Sequence, residues 1–443
     1  MAAGISYFID LTQPGELPPY DHLLPPVRAV DERYIVYVRK AIPDHGVPAD
    51  SAAMAEILDY LARALEVGHQ VYVHCRAGIG RTNTVIGCWL RRGGLGGPEA
   101  LQSLNRRWQS NPRARSWPRV PETAEQERYV HDWSESPQAE QRDLDLDLDT
   151  ARLWRGRYHG SLLGLACGDA MGATLQFRRP GQFAPIADLV GGGHWQLRAG
   201  AWTDDTAMSL CLAESLLAQE GFDAADQRDR YRRWRLEGHL SCTGQCIGIT
   251  SQVSAALQHT AAAQADPAGA QAVTRAGVVA LFAASSPERV FHWAAAAAAL
   301  TDRSAATAIA ARVYAALMLG AVRGAPRARL LAAARELWEG YAGADAAQFD
   351  AALAAGETPQ EPFAALRLVV ATLQACGGFR DGLLAIVNRG GNSDVQGALF
   401  GQLAGAVFGA EGIANGWRGA LLARPLLQDM ADRLLAAALA PRH

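Results

Sequence analysis

The sequence predicts a multidomain protein in which an α/β domain is followed by an all-α domain. In the first part of the chain, short apolar runs at 34–38 and 71–73 are typical of buried strands, and residues 52–65 repeat apolar side chains at helical spacing. Beyond residue 150 the chain is rich in alanine and leucine, and glycine-rich loops separate stretches of helical composition such as 207–218, 305–319 and 426–439. The change of pattern indicates two domains of different class.

The boundary between the predicted domains lies in an acidic stretch. Residues 134–150 contain no aromatic side chain and end in an alternation of aspartate and leucine from Asp143 to Asp149. An edge strand would also alternate with period two, but aspartate disfavours strands, and its charges repel one another along a solvated linker. We therefore expect domains at 1–133 and 151–443, joined by a linker at 134–150.

Composition limits the partners and the compartment that can be expected. The formal net charge is −3, from 42 basic and 45 acidic side chains, so no overall positive field exists to hold a nucleic acid or an anionic membrane. Seven cysteines, an odd number spread along a long chain, indicate a reducing compartment. The N-terminus has no leader pattern, and no segment has about 18 uninterrupted apolar residues. These observations predict a cytoplasmic protein with neither a membrane nor a nucleic-acid partner.

A cysteine loop in the first domain has the composition of a phosphate-binding site. Cys75 lies between the predicted strand 71–73 and a predicted helix at 84–90, and a nearby helix N-terminus favours the nucleophilic thiolate. Arg81 follows after five intervening residues, with a guanidinium that can clamp phosphate oxygens through two hydrogen bonds. Glycines let the loop turn its N–H groups inward as an anion nest. The loop residues predicted to bind phosphate are Arg76, Ala77, Gly78, Ile79 and Gly80.

This segment resembles the signature loop of the cysteine-dependent protein tyrosine and dual-specificity phosphatases, and the resemblance covers roughly residues 1–133. It implies that Cys75 attacks phosphorus to form a phosphocysteine. It also implies that Arg81 binds the phosphoryl group and that Thr82 helps the thiolate to leave. No cofactor is expected for this domain.

Two further segments resemble parts of the same family. Residues 42–48 resemble its mobile acid loop, with Ile42 in place of the usual tryptophan, which makes Asp44 the candidate general acid. The same segment is also an ordinary turn sequence. A weaker match at 122–126 makes Gln126 a candidate for positioning the hydrolytic water.

The second domain contains a cluster of oxygen ligands at the start of a predicted helix. Thr203, Asp204 and Asp205 are adjacent, and two carboxylates with a hydroxyl suit an oxygen-only site for Mg²⁺ or Mn²⁺. Threonine and aspartate are also good N-cap residues, so the cluster alone would equally fit a helix cap.

The order of the segments in this domain resembles the ADP-ribosylglycohydrolase family over residues 155–440. The resemblance implies an all-α fold, two divalent metals, and cleavage of the bond between ADP-ribose and a protein side chain or related acceptor. Thr203, Asp204 and Asp205 match the family's first metal motif, and Asp394 matches one acidic ligand of the second. The matching segments are 168–173, 191–193, 200–208, 241–244, 390–394, 397–398 and 401–405.

Several departures from the family's pattern remove charge or an oxygen ligand, among them three single residues. Asn392, a further candidate ligand, stands where the family usually has an aspartate, and Val395 stands where it has a threonine. Gln176 occupies the place of a glutamate that members use near the scissile bond. Because anionic oxygens hold hard cations most strongly, these changes should weaken at least one of the two metals. We therefore expect one or two ions of Mg²⁺ or Mn²⁺.

The leading hypothesis is a bifunctional hydrolase that acts on phosphorylated and ADP-ribosylated proteins or small molecules. In the alternative, an active phosphatase is joined to a catalytically weakened domain that only binds ADP-ribose and delivers the phosphatase to its target. A third hypothesis gives the second domain a structural role alone.

Overall fold

The computed structural model describes residues 4–17, 20, 24, 35–66, 68–134, 148–258, 269–341, 346–354 and 362–440. These residues form two compact units, one before residue 135 and one from residue 148 onward. The division falls inside the predicted linker, most of which lies outside the described residues. The predicted fold class, α/β followed by all-α, is confirmed.

The first unit is built on a parallel sheet of three strands, β1 (Tyr7–Asp10), β2 (Val36–Arg39) and β3 (Val71–His74), in the order β2-β1-β3. Strands that run parallel cannot be joined by a tight turn. Helix α1 (Ser51–Glu66) lies in the connection between β2 and β3. Three helices follow β3: α2 (Arg81–Arg92), α3 (Gly97–Trp108) and α4 (Ala124–Asp132).

The strands and helices predicted in this unit are present, but β1 was missed. Its pairing with both other strands is a tertiary contact that the sequence pattern does not show. The missed strand lies at the centre of the sheet. Because carboxyl ends of parallel strands meet at one edge, the segments that follow all three strands converge there.

The regular structure of the second unit, in its described part, is helical except for one isolated β-bridge between Gly192 and Leu197. Its first helix begins at Leu148, so the last three residues of the predicted linker, 148–150, are helical instead. Asp149, in the first helical turn, complements the helix dipole. The helices are α5 (Leu148–Ala173), α6 (Asp204–Ala218), α7 (Ala224–Glu237), α8 (Ser251–Leu257), α9 (Ala276–Phe282), α10 (Pro287–Ala299), α11 (Ala305–Val322), α12 (Leu330–Glu339), α13 (Ala346–Ala354), α14 (Pro362–Ala375), α15 (Phe379–Val387), α16 (Ser393–Phe408), α17 (Asn415–Ala420) and α18 (Arg424–Leu439).

Helices α5 and α16 pack backbone against backbone along a row of glycines. Gly160, Gly164 and Gly168 recur every fourth residue and therefore lie on one face of α5. A Cβ atom at any of them would lie within 2.1 Å of a carbonyl oxygen of α16. The partner residues on α16 are Gly405, Gly401 and Gly397. We call these six residues the glycine seam.

Replacing Gly168 with alanine is expected to destabilise the second unit by about 3 kcal/mol or more, because the new methyl group would lie 1.8 Å from the oxygen of Gly397. Gly156→Ala, on the same helix, is the matched control: nothing lies within 4 Å of a Cβ there. The control should gain about 0.5–1 kcal/mol from helix propensity. Urea unfolding followed by circular dichroism measures both changes, and equal effects would refute close packing at the seam.

In the part of the chain that the structure describes, one helix, α11, is long and apolar enough to cross a membrane by length and composition alone. Of its most apolar window, 72% is buried inside the protein. Tyr314 of this helix is buried and donates a hydrogen bond to the carbonyl oxygen of Leu399 on α16 at 2.8 Å. These are the surroundings of a core helix.

Candidate active sites

The loop after β3 surrounds the sulfur of Cys75 with hydrogen-bond donors. The side chain is buried, the backbone N–H of Gly78 donates to Sγ at 3.3 Å, and the Thr82 hydroxyl donates to it at 3.2 Å. The Asn83 amide donates to the carbonyl oxygens of Gly78 and Ile79 at 2.9 and 2.8 Å, which fixes the loop. These donors stabilise negative charge on the sulfur, as a nucleophile requires.

The loop positions have the expected backbone character. Gly78 has φ +73°, a conformation that L side chains rarely adopt. At Gly80, a Cβ would come within 2.8 Å of the Gln126 amide, so a larger residue would not fit. Arg76 and Ala77 are exposed, whereas Ile79 is buried. The five predicted phosphate-binding residues therefore form one continuous loop between Cys75 and α2.

Arg81 is the first residue of α2 and is buried at the end of this loop. Its guanidinium donates to both carboxylate oxygens of Glu16, at 2.7 and 2.6 Å, and pairs with Asp44 at 2.8 Å. The hydrogen bonds from Arg81 hold the pKa of Glu16 below its usual value, and in turn Glu16 raises the pKa of Arg81. The structure thus places Cys75, Arg81, Thr82 and Asp44 close to one another.

Asp44 lies on the loop after β2, with its carboxylate half-exposed. Asp44 therefore lies beside Arg81 at the rim of the phosphate loop. From this position a carboxylic acid can deliver a proton next to a phosphoryl group bound by the guanidinium. Gln126 is completely buried, and its Oε1 accepts hydrogen bonds from the N–H groups of Glu122 and Thr123. Its Nε2 donates to the carbonyl oxygen of Gly46 at 2.9 Å, so its observed contacts fix the acid loop against the start of α4.

Glu16 is a functional residue that the sequence analysis missed. Asp10, at the end of β1, accepts hydrogen bonds from Tyr37 and Arg39, and Arg39 also donates to the carbonyl oxygen of Leu17. Burial opposes ionisation of Asp10, but its hydrogen bonds outweigh this and hold its pKa below the usual value. This network fixes the segment that carries Glu16. An acidic residue shortly after β1 would have been the signal, had the strand been found.

Replacing Glu16 with alanine is expected to lower kcat/KM for p-nitrophenyl phosphate about 10- to 100-fold, because Arg81 would lose the bidentate partner that orients its guanidinium. Glu56→Ala removes an exposed carboxylate paired with Lys40 and should change turnover less than about twofold. Faster turnover by the Glu16 variant would instead mean that Glu16 competes with phosphate for Arg81.

In the second unit, three buried carboxylates meet at the N-termini of two helices. Asp204 and Asp205 begin α6, Asp394 lies in the first turn of α16, and one oxygen from each lies within 4.8 Å of the others. The cap of α6 is supplied by another residue: Asp169 accepts hydrogen bonds from the backbone N–H groups of Thr203 and Thr206. Thr203 is the N-cap residue of α6, but its side chain makes no capping hydrogen bond.

The cluster is electrostatically unfavourable without a cation. Burial, together with the charges of Asp394 and Asp169, raises the pKa of Asp204 well above its usual value. Burial and the neighbouring aspartates do the same for Asp205, and burial with Asp169 raises the pKa of Asp394 to about 7. Such clusters are typical of sites that bind a cation or protonate a substrate.

The residues present fit one divalent cation. Among the described residues, Oδ2 of Asp205 and Oδ1 of Asp394 are buried without a hydrogen-bond partner. Thr203 donates its proton to Asp169 at 2.6 Å, which leaves its oxygen lone pairs available as a ligand. A Cβ at Gly248 would lie 2.0 Å from Asp204, so glycine keeps the space beside this carboxylate open.

The surroundings offer less to a second cation. Asn392 is partly buried before α16 with a neutral amide, and Val395 is buried and apolar. Neutral amides occupy two carboxylate oxygens, since Gln176 donates to Asp394 and Gln271 donates to Asp204. In the same region, Thr274 donates to Asp205 at 3.1 Å. Sequence reasoning did not find Gln271 or Thr274, because neither lies in a segment that matches the family's pattern.

The α/β unit contains a cysteine loop with a buried arginine, and the all-α unit contains buried carboxylates at two helix ends. Residues 150–442 match the ADP-ribosylglycohydrolase family, and the chain belongs to this family. Residues 26–94 match a family described as a polymorphic toxin system DSP-PTPase phosphatase. The resemblances predicted from the sequence are confirmed, and the chain is an enzyme.

Curated relatives resemble most of the chain. It is 27% identical to ADP-ribosylarginine hydrolase Tri1 of Serratia proteamaculans, covering 72% of this chain and 87% of the relative. It is 32% identical to the Tri1 hydrolase of Pseudomonas putida, covering 59% and 73%. It is 31% identical to the ADP-ribosyl-[dinitrogen reductase] glycohydrolase of Rhodospirillum rubrum, covering 58% and 87%. A solved ADP-ribosylglycohydrolase-related protein complex is similar with a TM-score of 0.56 and 34% identity, over 65% of this chain and all of that chain.

Proposed function

We propose that the protein is a bifunctional hydrolase. The first unit hydrolyses phosphomonoesters, and the second releases ADP-ribose from a modified acceptor with the help of a divalent cation. The observation that carries the first activity is the buried sulfur of Cys75, which receives two hydrogen bonds beside the Arg81 guanidinium. The second activity is supported by the unpartnered oxygens of Asp205 and Asp394 in the described part of the carboxylate cluster.

The phosphatase reaction follows from the groups around Cys75. The thiolate attacks phosphorus, forming a P–S bond as the bond to the leaving oxygen breaks, and Asp44 gives its proton to that oxygen. The phosphoryl oxygens replace Asp44 on Arg81 and accept from the loop N–H groups. Water then attacks phosphorus and gives a proton to Asp44, while Thr82 stabilises the departing sulfur through its 3.2 Å hydrogen bond.

The substrate of the second unit is an ADP-ribosylated protein, and the relatives named as ADP-ribosylarginine hydrolases support arginine as the acceptor. Mg²⁺ or Mn²⁺ would be held by Thr203, Asp204, Asp205 and Asp394, with the Asn392 amide as a weaker neighbour. When bound, the cation supplies Lewis-acid chemistry and orients ribose hydroxyls and a water molecule. The buried position of the carboxylates excludes other water from the reacting bond.

A reader domain that binds ADP-ribose without cleaving it is the second candidate. The Gln176 amide in place of a carboxylate and the apolar side chain of Val395 favour it, because both remove groups that would assist turnover. Titration calorimetry with ADP-ribose, alongside release of ADP-ribose from modified protein with Mg²⁺ or Mn²⁺, separates the two functions. Release that a chelator abolishes supports the hydrolase; binding without release supports the reader. Absence of both would leave the unit a structural role.

The compartment proposed is the cytoplasm. The described structure contains all seven cysteines as free thiols, among them the nucleophile Cys75, and a reducing environment protects such a thiol from oxidation.

A further inference from the structure

We propose that the ring of Phe177, supported by His194, is the stacking platform for the guanidinium of the ADP-ribosylated arginine. This inference rests on the proposed hydrolase or binding function of the second unit and names the part of the substrate that the platform recognises. Three observations support it: the aromatic pair is exposed, the backbone of Phe177 is strained, and both lie near the carboxylate cluster.

A chain of contacts links the platform to the cluster. The Phe177 and His194 rings meet edge to face with centroids 5.3 Å apart, and His194 meets Trp195 at 4.6 Å. The Trp195 indole N–H donates to Oε1 of Gln176 at 2.7 Å, and the Gln176 amide donates to Asp394. The aromatic residues therefore lie at the edge of the carboxylate cluster.

Phe177 is exposed and held in an unfavourable conformation. Of its surface, 61% is accessible, although a large apolar side chain loses free energy in water. Its φ is +65°, a conformation that is strained for a bulky residue and that is enriched at functional sites. Its N–H donates to the carbonyl oxygen of Gly391 at 2.8 Å, and Gly391 donates back to Arg178, so the backbone is fixed beside the loop that leads to Asp394. The position of the ring is thus built into the fold.

The position of the platform favours the acceptor over the adenine as its occupant. In ADP-ribose the adenine is separated from the reacting ribose by a diphosphate and a second ribose. The acceptor is bonded directly to the reacting carbon. Phe177 is the residue next to Gln176, whose side chain reaches Asp394, so its ring lies near whatever is attached to a ribose held at the cluster. A guanidinium is planar and cationic, and it stacks on aromatic faces.

The test compares two ligands that differ only in the acceptor, free ADP-ribose and ADP-ribosylarginine, in wild type and in Phe177→Ala. We expect the variant to weaken binding of ADP-ribosylarginine, or to raise its KM, about 3- to 30-fold. The Kd for ADP-ribose, measured by calorimetry with Mn²⁺, should change less than twofold, and Phe177→Tyr should restore the wild-type value. Leu236→Ala, which truncates a side chain that is 78% exposed on α7, is the control for loss of surface apolar area.

Each other outcome overturns the proposal. Equal weakening of both ligands would assign the platform to a part that they share, such as the adenine, and no change in either would make Phe177 irrelevant to binding. If wild type binds ADP-ribosylarginine no more tightly than ADP-ribose, the platform contributes nothing, while release of ADP-ribose would still uphold the proposed function. If wild type binds neither ligand, both the platform and the proposed function are refuted.

Discussion

Replacing Cys75 with serine is expected to lower turnover of p-nitrophenyl phosphate by at least about four orders of magnitude. A serine hydroxyl cannot form the P–S bond and remains protonated at neutral pH, whereas the loop donates two hydrogen bonds to the sulfur. Because the substitution changes one atom at a buried position, the thermal unfolding of the first unit should be nearly unchanged. A colorimetric assay over time measures the loss.

Cys88→Ser is the matched control for this prediction. Burial raises the pKa of the Cys88 thiol far above its usual range, so the group is a protonated and unreactive part of the core. The control should keep its turnover, apart from any loss of stability. Release of ADP-ribose by the second unit should be the same in both variants. Phosphatase activity that survives in Cys75→Ser would rule out the phosphocysteine mechanism.

The second large effect is expected at the carboxylate cluster. Asp205→Asn should reduce release of ADP-ribose from a modified protein at least about 100-fold, because the unpartnered Oδ2 is lost as an anionic ligand. A chelator should produce the same loss in wild type. Removing one of several mutually repelling buried carboxylates should also make the metal-free variant melt no lower than wild type. This combination distinguishes a lost ligand from a lost fold.

Asp229→Asn provides the comparison for the same chemical change at an exposed site. Its carboxylate is solvent-exposed on α7 and pairs with Arg232 at 2.9 Å, a contact that contributes little in water. Calorimetric titration with Mn²⁺ adds a readout that does not depend on activity: binding should be weakened in Asp205→Asn and unchanged in Asp229→Asn. Unchanged binding in Asp205→Asn would remove this residue from the ligand set.

Features formed by residues close together in the chain could be predicted from the sequence, whereas contacts between distant residues could not. Cys75 and Arg81 lie in one short segment between a strand and a helix, so their pattern was visible without a structure. Glu16 meets Arg81 across 65 residues of chain, and only the undetected strand β1 explains how they come together. A contact of this kind depends on the sheet order, which one sequence does not reveal.

The same limit applies to the second unit. Asp204 and Asp394 were found because their segments match a family pattern, and the structure places them together. Gln271 and Phe177 belong to no such pattern: one is a single amide at the start of a short 3₁₀ helix, and the other meets its aromatic partner His194 only in the folded chain. Their roles depend on which helix ends and loops converge, a property of tertiary packing.

The glycine seam has a consequence for how mutations in the second unit should be interpreted. Gly172, one turn beyond the seam on α5, lies against the backbone of Ser393, the residue before Asp394. Asp169, which caps α6, is on the same helix. The contact is made by main-chain atoms, so no change of rotamer can absorb a displacement there. A larger residue at a glycine of this row would push α5 away from α16, the helix that carries Asp394. Loss of activity in a variant of one of these glycines therefore indicates a changed distance between α5 and α16. It does not identify the side chains that perform the chemistry.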